Sequence, residues 1–350
     1  MKDDMGKSTR SHSQTRRGAP ESISIEAVAR KAKVSTATVS IVLNGKGERY
    51  RISKATQERI KDVAKKLNYE PNPVARSLRL GRTQTIGFVI ADLANPFFAE
   101  LATTLERLCH EHGYLLQISA SGDDVAMEEE IIRNFVAKSV DGLIIATSHE
   151  ESDFLSDIAS RTPTVFVDRK IKGSNCCWVT SDNYESAKEA IRRLIDKREF
   201  REVAYIGGAP SLSSNIERLQ AYENVLEEAG VPVARRIVKE GAFTCDAGKA
   251  AMSDIIEEIG RPPDAVFTAS YTLLEGALAE LKRRYGAAQP DIAIATYDDH
   301  PLLDYVAPPI LSVRQDCPLL AESAFSILTS MMSGSSGLQR IIAPARIIQR

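Results

Sequence analysis

The 350-residue sequence predicts a small all-α helix-turn-helix head joined to an α/β body of two doubly wound parallel-sheet subdomains. Three observations carry this. The charge splits near residue 83, three short amphipathic periods lie between Ser24 and Leu67, and a strand and helix alternation begins at Thr85 and starts over after residue 184. The net charge is only −2, yet residues 1–83 hold 19 Lys and Arg against 8 Asp and Glu, while residues 84–350 hold 26 against 39. A basic segment beside an acidic body is what a polyanion-binding module shows, because neutralised phosphates supply most non-specific nucleic-acid affinity. A basic disordered arm has the same composition.

Residues 1–22 are rich in Ser, Gly, Lys and Arg without periodicity and read as a flexible arm. Residues 23–70 read as the helix-turn-helix domain. Ser24 is an N-cap candidate for a helix over Ile25 to Ala32, with Ile25, Val28, Ala29 and Ala32 on one face. Lys33-Val34 breaks the period. Ser35 then caps a second helix with Val39, Val42 and Leu43 on one face, ending at Asn44-Gly45. Ser53 caps a third, in which Ile60, Val63, Ala64 and Leu67 are apolar and Lys61, Lys65 and Lys66 point outward. The second helix leaves Ser35, Thr36, Ala37, Thr38 and Ser40 exposed. Short hydroxyl and methyl groups can enter a major groove, and they can equally be helix caps alone.

Residues 71–83 form a linker. Pro73 suits a first helical turn, but about eight residues are too few to hold a helix in water without a docking partner. An ordinary interdomain linker fits the same stretch.

From residue 84 onward short apolar runs alternate with amphipathic helices. TIGFVIADL, LLQISAS, DGLIIAT and TVFVDR read as strands of one subdomain; EVAYIGG, IVKEGAF, DAVFTAS and IAIATYDD read as strands of the next. The boundaries expected are residues 84–183 with 314–333 for the first subdomain and 184–313 with 338–350 for the second. In open α/β sheets ligands bind beyond the carboxyl ends of strands. Asp92 with Asn95, Asp168 with Arg169, and Tyr297-Asp298-Asp299 stand there, as does Gly207-Gly208 followed by Ser213, Ser214 and, one turn on, Arg218. Carboxylates and amides suit adjacent sugar hydroxyls, and guanidinium suits carboxylate or phosphate.

Other classes lack their signatures. The five histidines, His12, His110, His112, His149 and His300, accompany neither a nucleophile elbow nor metal-ligand spacing, and the first strand lacks the dinucleotide-binding glycines. We therefore expect no enzyme, no cofactor and no metal. Five cysteines without C-x-x-C spacing read as reduced thiols. No run is apolar for long enough to span a bilayer and residues 1–20 have no secretory apolar core, so a cytoplasmic protein with no membrane partner is expected. The alternative reading is a cytosolic sugar-binding or sugar-modifying protein with a basic arm.

The segments VSTATVSIVLNG, NYEPNPVARSLR and TIGFVIADLANPFF, in that order and separation, resemble the lactose-repressor (LacI/GalR) family of transcription regulators. The resemblance runs from about residue 23 to the end. It implies a periplasmic-binding-protein-like body crossed three times by the chain, and a homodimer, or a tetramer, on a palindromic double-stranded operator. It also implies that Ser24, Ser35, Thr38, Ser40 and Asn44 hold phosphates, that Thr36 and Ala37 face base edges, and that Asn72, Ala75 and Leu78 belong to a hinge helix whose leucine wedges into the minor groove. Two departures stand out: Lys33 occupies the turn position usually glycine, and Ile41 a position where many members carry arginine. No leucine-heptad tail follows residue 337 to build a tetramer.

For the cleft, the strand-end and helix-start positions single out Asn95, Asp168, Arg169 and Ser213, and the resemblance implies that Ser214, Arg218, Phe243 and Asp298 contact a sugar or phosphosugar effector. FTASYTLLEG and IAIATYDDHPLLDYV are similar to the fructose-repressor and sucrose-operon-repressor branch, which implies fructose 1-phosphate, with fructose 1,6-bisphosphate, fructose and sucrose as competitors.

Overall fold

The computed structural model describes residues 24–69, 81–173, 175–196, 200, 202–286, 291–335 and 337–350. The basic arm and the hinge residues Asn72, Ala75 and Leu78 lie outside the described residues. The chain divides into two compact units at Gly81.

The head consists of α1 (Ile25–Ala32), α2 (Thr36–Leu43) and α3 (Lys54–Lys66). Val28, Ala32, Val39, Val42 and Ile60 are its buried centre, the product of the apolar periodicity. The Ser35 and Ser53 hydroxyls accept hydrogen bonds from the Thr38 and Thr56 amides and so close the starts of α2 and α3. Ser24 departs from expectation. It stands at the N-cap position of α1 but its side chain accepts no capping hydrogen bond; it bonds instead to Glu26, whose carboxyl is lowered by that contact. Lys33 ends α1 in the left-handed region at φ 52°.

The body is built of β1 (Thr85–Ile90), α4 (Pro96–Glu111), β2 (Leu115–Ala120), α5 (Val125–Ala137), β3 (Gly142–Ile145), α6 (Asp153–Arg161), β4 (Thr164–Val167) and β5 (Cys177–Ser181) in its first half. Then follow α7 (Asn183–Ile195), β6 (Val203–Gly207), α8 (Ser213–Glu228), β7 (Arg236–Glu240), α9 (Cys245–Ile259), β8 (Ala265–Thr268), α10 (Tyr271–Tyr285), β9 (Ala293–Tyr297) and β10 (Ile310–Gln315). The chain closes with α11 (Cys317–Met332), β11 (Arg340–Ala343) and β12 (Ala345–Ile348).

Two six-stranded sheets result, ordered β11-β5-β4-β3-β1-β2 and β12-β10-β9-β8-β6-β7. Strand for strand the two orders are the same. Among the described residues every pairing is parallel except β10 with β12. The central strands lie between helices, so β3, β4 and β8 are buried along their whole length rather than alternating.

Three crossings join the halves. After β5 the chain leaves the first sheet and α7 packs in the second core through Ala187, Ala190 and Ile191. After β10 it returns, and Leu320, Ala324 and Leu328 of α11 pack in the first core. The last crossing corrects the expected boundaries. Residues 338–350 do not all belong to the second subdomain, because β11 pairs with β5 of the first sheet and only β12 joins the second. Pro344 stands between them. Having no N–H to donate, it ends one ladder and frees the chain to join the other. β10 likewise stays in the second sheet through Gln315, two residues past the expected limit. α6, β5 and β11 were not legible as separate elements, being short runs without distinct punctuation.

Candidate functional site

Because the sheets are parallel, their carboxyl ends gather loops from many strands, and both sheets present those ends to one cleft. The first half supplies Asp92, Asn95, Phe97, Phe98, Asp123, Asp168 and Arg169; the second supplies Ser214, Arg218, Phe243, Ser270, Asp298 and Gln315. Of the effector residues expected from the sequence, only Ser213 falls outside. Its hydroxyl accepts a hydrogen bond from the Lys170 amide at 2.8 Å, which turns it toward the loop after β4 and away from the cleft.

Asn95 caps α4, its Oδ1 accepting from the Phe97 amide at 3.0 Å, and Pro96 starts that helix without needing a donor partner. Phe97 and Phe98, edge to face at 5.0 Å, give the cleft an apolar side. Phe243 gives it another, and Gly208 leaves room for that ring: a Cβ there would overlap it.

Two buried guanidinium groups line the cleft, one from each half. Arg169 donates from Nη1 to Asp123 Oδ1 at 2.5 Å and to the Thr147 carbonyl at 3.1 Å, and from Nη2 to Asp123 Oδ2 at 3.3 Å. Its Nε lies 3.5 Å from Asp168 Oδ2 and makes no hydrogen bond. Burial pulls the Arg169 pKa down, but Asp123 outweighs it and holds the group charged. Arg218 donates from Nε and Nη2 to Asn183 Oδ1 at 3.0 and 2.7 Å, and from Nη1 to the Ala269 carbonyl at 2.7 Å. Its Cζ lies 3.5 Å from the Tyr297 ring centre.

Asp168 and Asp298 carry the opposite charge. Burial pushes both carboxyls above their usual range although Arg169 and Arg218 stand beside the first and Arg218 beside the second. Gln315 Nε2 donates to Asp298 Oδ1 at 2.7 Å. Carboxylates, amides and partly used guanidinium groups between aromatic faces are suited to a polyhydroxylated ligand, whose hydroxyls both donate and accept. Asp123 and Gln315 escaped the sequence reading, although each ends or follows a strand, the one signal that could have found them. Among the described residues no group of three His, Cys, Asp or Glu could hold a metal ion, and no helix is long and apolar enough to cross a membrane.

In the head, Ser35, Thr36 and Ala37 are exposed at the start of α2, while Thr38, Ser40, Ile41 and Asn44 are half-buried. Thr38 Oγ1 shares a hydrogen bond with Ser35 Oγ at 2.8 Å, and Asn44 Nδ2 donates to the Ser40 carbonyl at 2.5 Å. The exposed groups are small, as groove entry requires.

A helix-turn-helix unit carried by a chain whose body is two wound sheets around a polar cleft defines a ligand-responsive DNA-binding regulator with a periplasmic-binding-protein-like body. Residues 24–72 match the bacterial regulatory proteins of the lacI family, and residues 191–350 match the periplasmic binding protein-like domain. The sucrose operon repressor of Klebsiella pneumoniae is 33% identical over 90% of this chain and 93% of its own. The catabolite repressor/activator of Salmonella typhimurium is 33% identical over 88% and 92%. The Cra transcriptional dual regulator of Pseudomonas putida, solved with fructose 1-phosphate, superposes with a TM-score of 0.72 at 27% identity, covering 76% of this chain and 98% of that one.

The chain belongs to the lacI family of bacterial regulatory proteins. It is a DNA-binding, sugar-responsive transcriptional repressor, and its relatives are regulators rather than enzymes.

Proposed function

We propose that the protein binds a palindromic operator as a homodimer, represses genes of sugar metabolism, and is released by fructose 1-phosphate seated in the cleft. Ser24, Ser35, Thr38, Ser40 and Asn44 are assigned to phosphates, Thr36 and Ala37 to base edges, and Asn72, Ala75 and Leu78 to a hinge in the minor groove. The observation that carries the effector reading is the meeting of buried Arg169 and Arg218 with buried Asp168 and Asp298 in one cleft made by both halves. A ligand there touches both halves, so its binding free energy favours one arrangement of them over another. The Pseudomonas putida complex supports a fructose-type effector. Unphosphorylated sugar is the second reading, favoured by the presence of Asp92, Asp123, Asp168 and Asp298 against only Arg169 and Arg218 on the cleft walls.

Operator fragments titrated with the protein, then with fructose, fructose 1-phosphate, fructose 1,6-bisphosphate and sucrose, test the proposal. Release at the lowest concentration by fructose 1-phosphate is expected; indifference to all of them overturns it. In the same assay Leu78→Ala is expected to weaken specific binding far more than non-specific binding, and equal losses remove the wedge role.

A further inference from the structure

Arg169 is the cation that an anionic group would meet on the first half of the cleft, and its forked edge is already taken. Asp123 binds it through both oxygens, at 2.5 and 3.3 Å. The Thr147 carbonyl holds Nη1 from another side at 3.1 Å, so the guanidinium is fixed in place. Two consecutive residues in the left-handed region, Gly122 at φ 67° and Asp123 at φ 59°, turn the chain so that this carboxylate points inward.

Charge counting sharpens the point. Besides Asp123, Arg169 has Asp168 Oδ2 at 3.5 Å from Nε. The fully buried Glu128 adds its field, its own oxygens held by the Thr147 hydroxyl at 2.7 Å and the Ser148 amide at 2.6 Å. Three carboxylates thus share the field of Arg169, with Arg218 as the second cation beside Asp168. A phosphate reaches the end-on fork of Arg169, Nη1 with Nη2, only in the place that Asp123 holds.

We propose that Asp123 is a specificity-determining residue of the cleft: it is a built-in anion on Arg169 that a sugar phosphate must displace, and so it narrows the preference for the phosphorylated over the free sugar. Its side chain is 18% exposed, which gives it a way out to solvent. The inference rests on the reading of this cleft as the sugar site.

Calorimetric titration of fructose and of fructose 1-phosphate into the full-length protein and its Asp123→Asn variant tests it. Asn keeps the shape and tolerates positive φ. Asp123→Gly, which removes the charge and suits φ 59° better still, guards against a folding defect. The affinity ratio of fructose 1-phosphate to fructose is expected to rise about tenfold or more in both variants, since a charge-assisted pair no longer has to be broken. A ratio unchanged from the parent, or equal loss for both sugars, overturns the role of Asp123 while leaving the sugar site standing. Failure of every form to bind either sugar overturns the site and the inference with it.

Discussion

Asp168 and Asp298 are counterparts in the two halves of the body: each directly follows the fourth strand of its half, each is buried, and each has a φ of 69°. A non-glycine residue in that region costs about 1–3 kcal/mol, and a buried carboxylate adds a desolvation penalty. Both costs are met twice over, at equivalent places, where the sheets face one cleft. The next strands repeat the pattern, with Ser181 at the end of β5 donating to Gln315 at the end of β10 at 2.5 Å.

Arg218 bridges the second half of this arrangement. Arg218→Ala removes the donors that Asn183 Oδ1 and the Ala269 carbonyl rely on, and each buried group left unpaired costs about 1–3 kcal/mol. The variant is expected to unfold at lower urea, to keep operator binding where folded, and to lose the sugar response. Loss of operator binding by the folded variant counts against a sensor role.

Glu280 gives the body an acid limit. Hydrogen bonds from Arg283 and Arg284, at 2.6 to 2.7 Å, hold its carboxyl at about 2, below the ordinary 4.5. A carboxylate lowered on folding stabilises fully above its unfolded pKa, and that stability drains away as pH falls from about 4.5 toward 2. Glu280→Gln is expected to flatten the fall in urea midpoint over this window, and a variant curve parallel to the parent's refutes the assignment.

α9 and α10 touch backbone to backbone. A Cβ at Gly248 would overlap the Leu273 carbonyl and one at Gly276 the Cys245 carbonyl. Alanine gains about 1 kcal/mol of helix propensity over glycine, but overpacking against an immovable carbonyl costs about 1–3 kcal/mol. Gly248→Ala and Gly276→Ala should each lower the melting temperature despite the better helix former.

Lys33 is strained in the other direction. At φ 52° a side chain costs about 1–2 kcal/mol, of which glycine's greater freedom in the unfolded chain returns about 0.5–1. Lys33→Gly is expected to slow hydrogen exchange of the α1 amides in the full-length protein by a few-fold; faster exchange shows that Lys33 carries a compensating contact.

Much was legible in the sequence because it is local. The 3.6-residue period and the Ser35 and Ser53 caps specify α2 and α3 without reference to anything distant, and strand-end polar residues such as Asp168, Arg169 and Asp298 announce a cleft once the strands are parallel. Tertiary structure alone decided which sheet a strand joins and which polar groups meet. Hydrophobic periodicity reports that a face is buried but not against what. Nothing in RIIAPARII says that the residues before Pro344 pair with β5 and those after it with β10. Nor does spacing say that Ser213 is spent on Lys170 while Asp123, 46 residues before Arg169 in the chain, takes hold of its guanidinium. Those choices are long-range pairings, made when the sheets close and their strand ends are brought together.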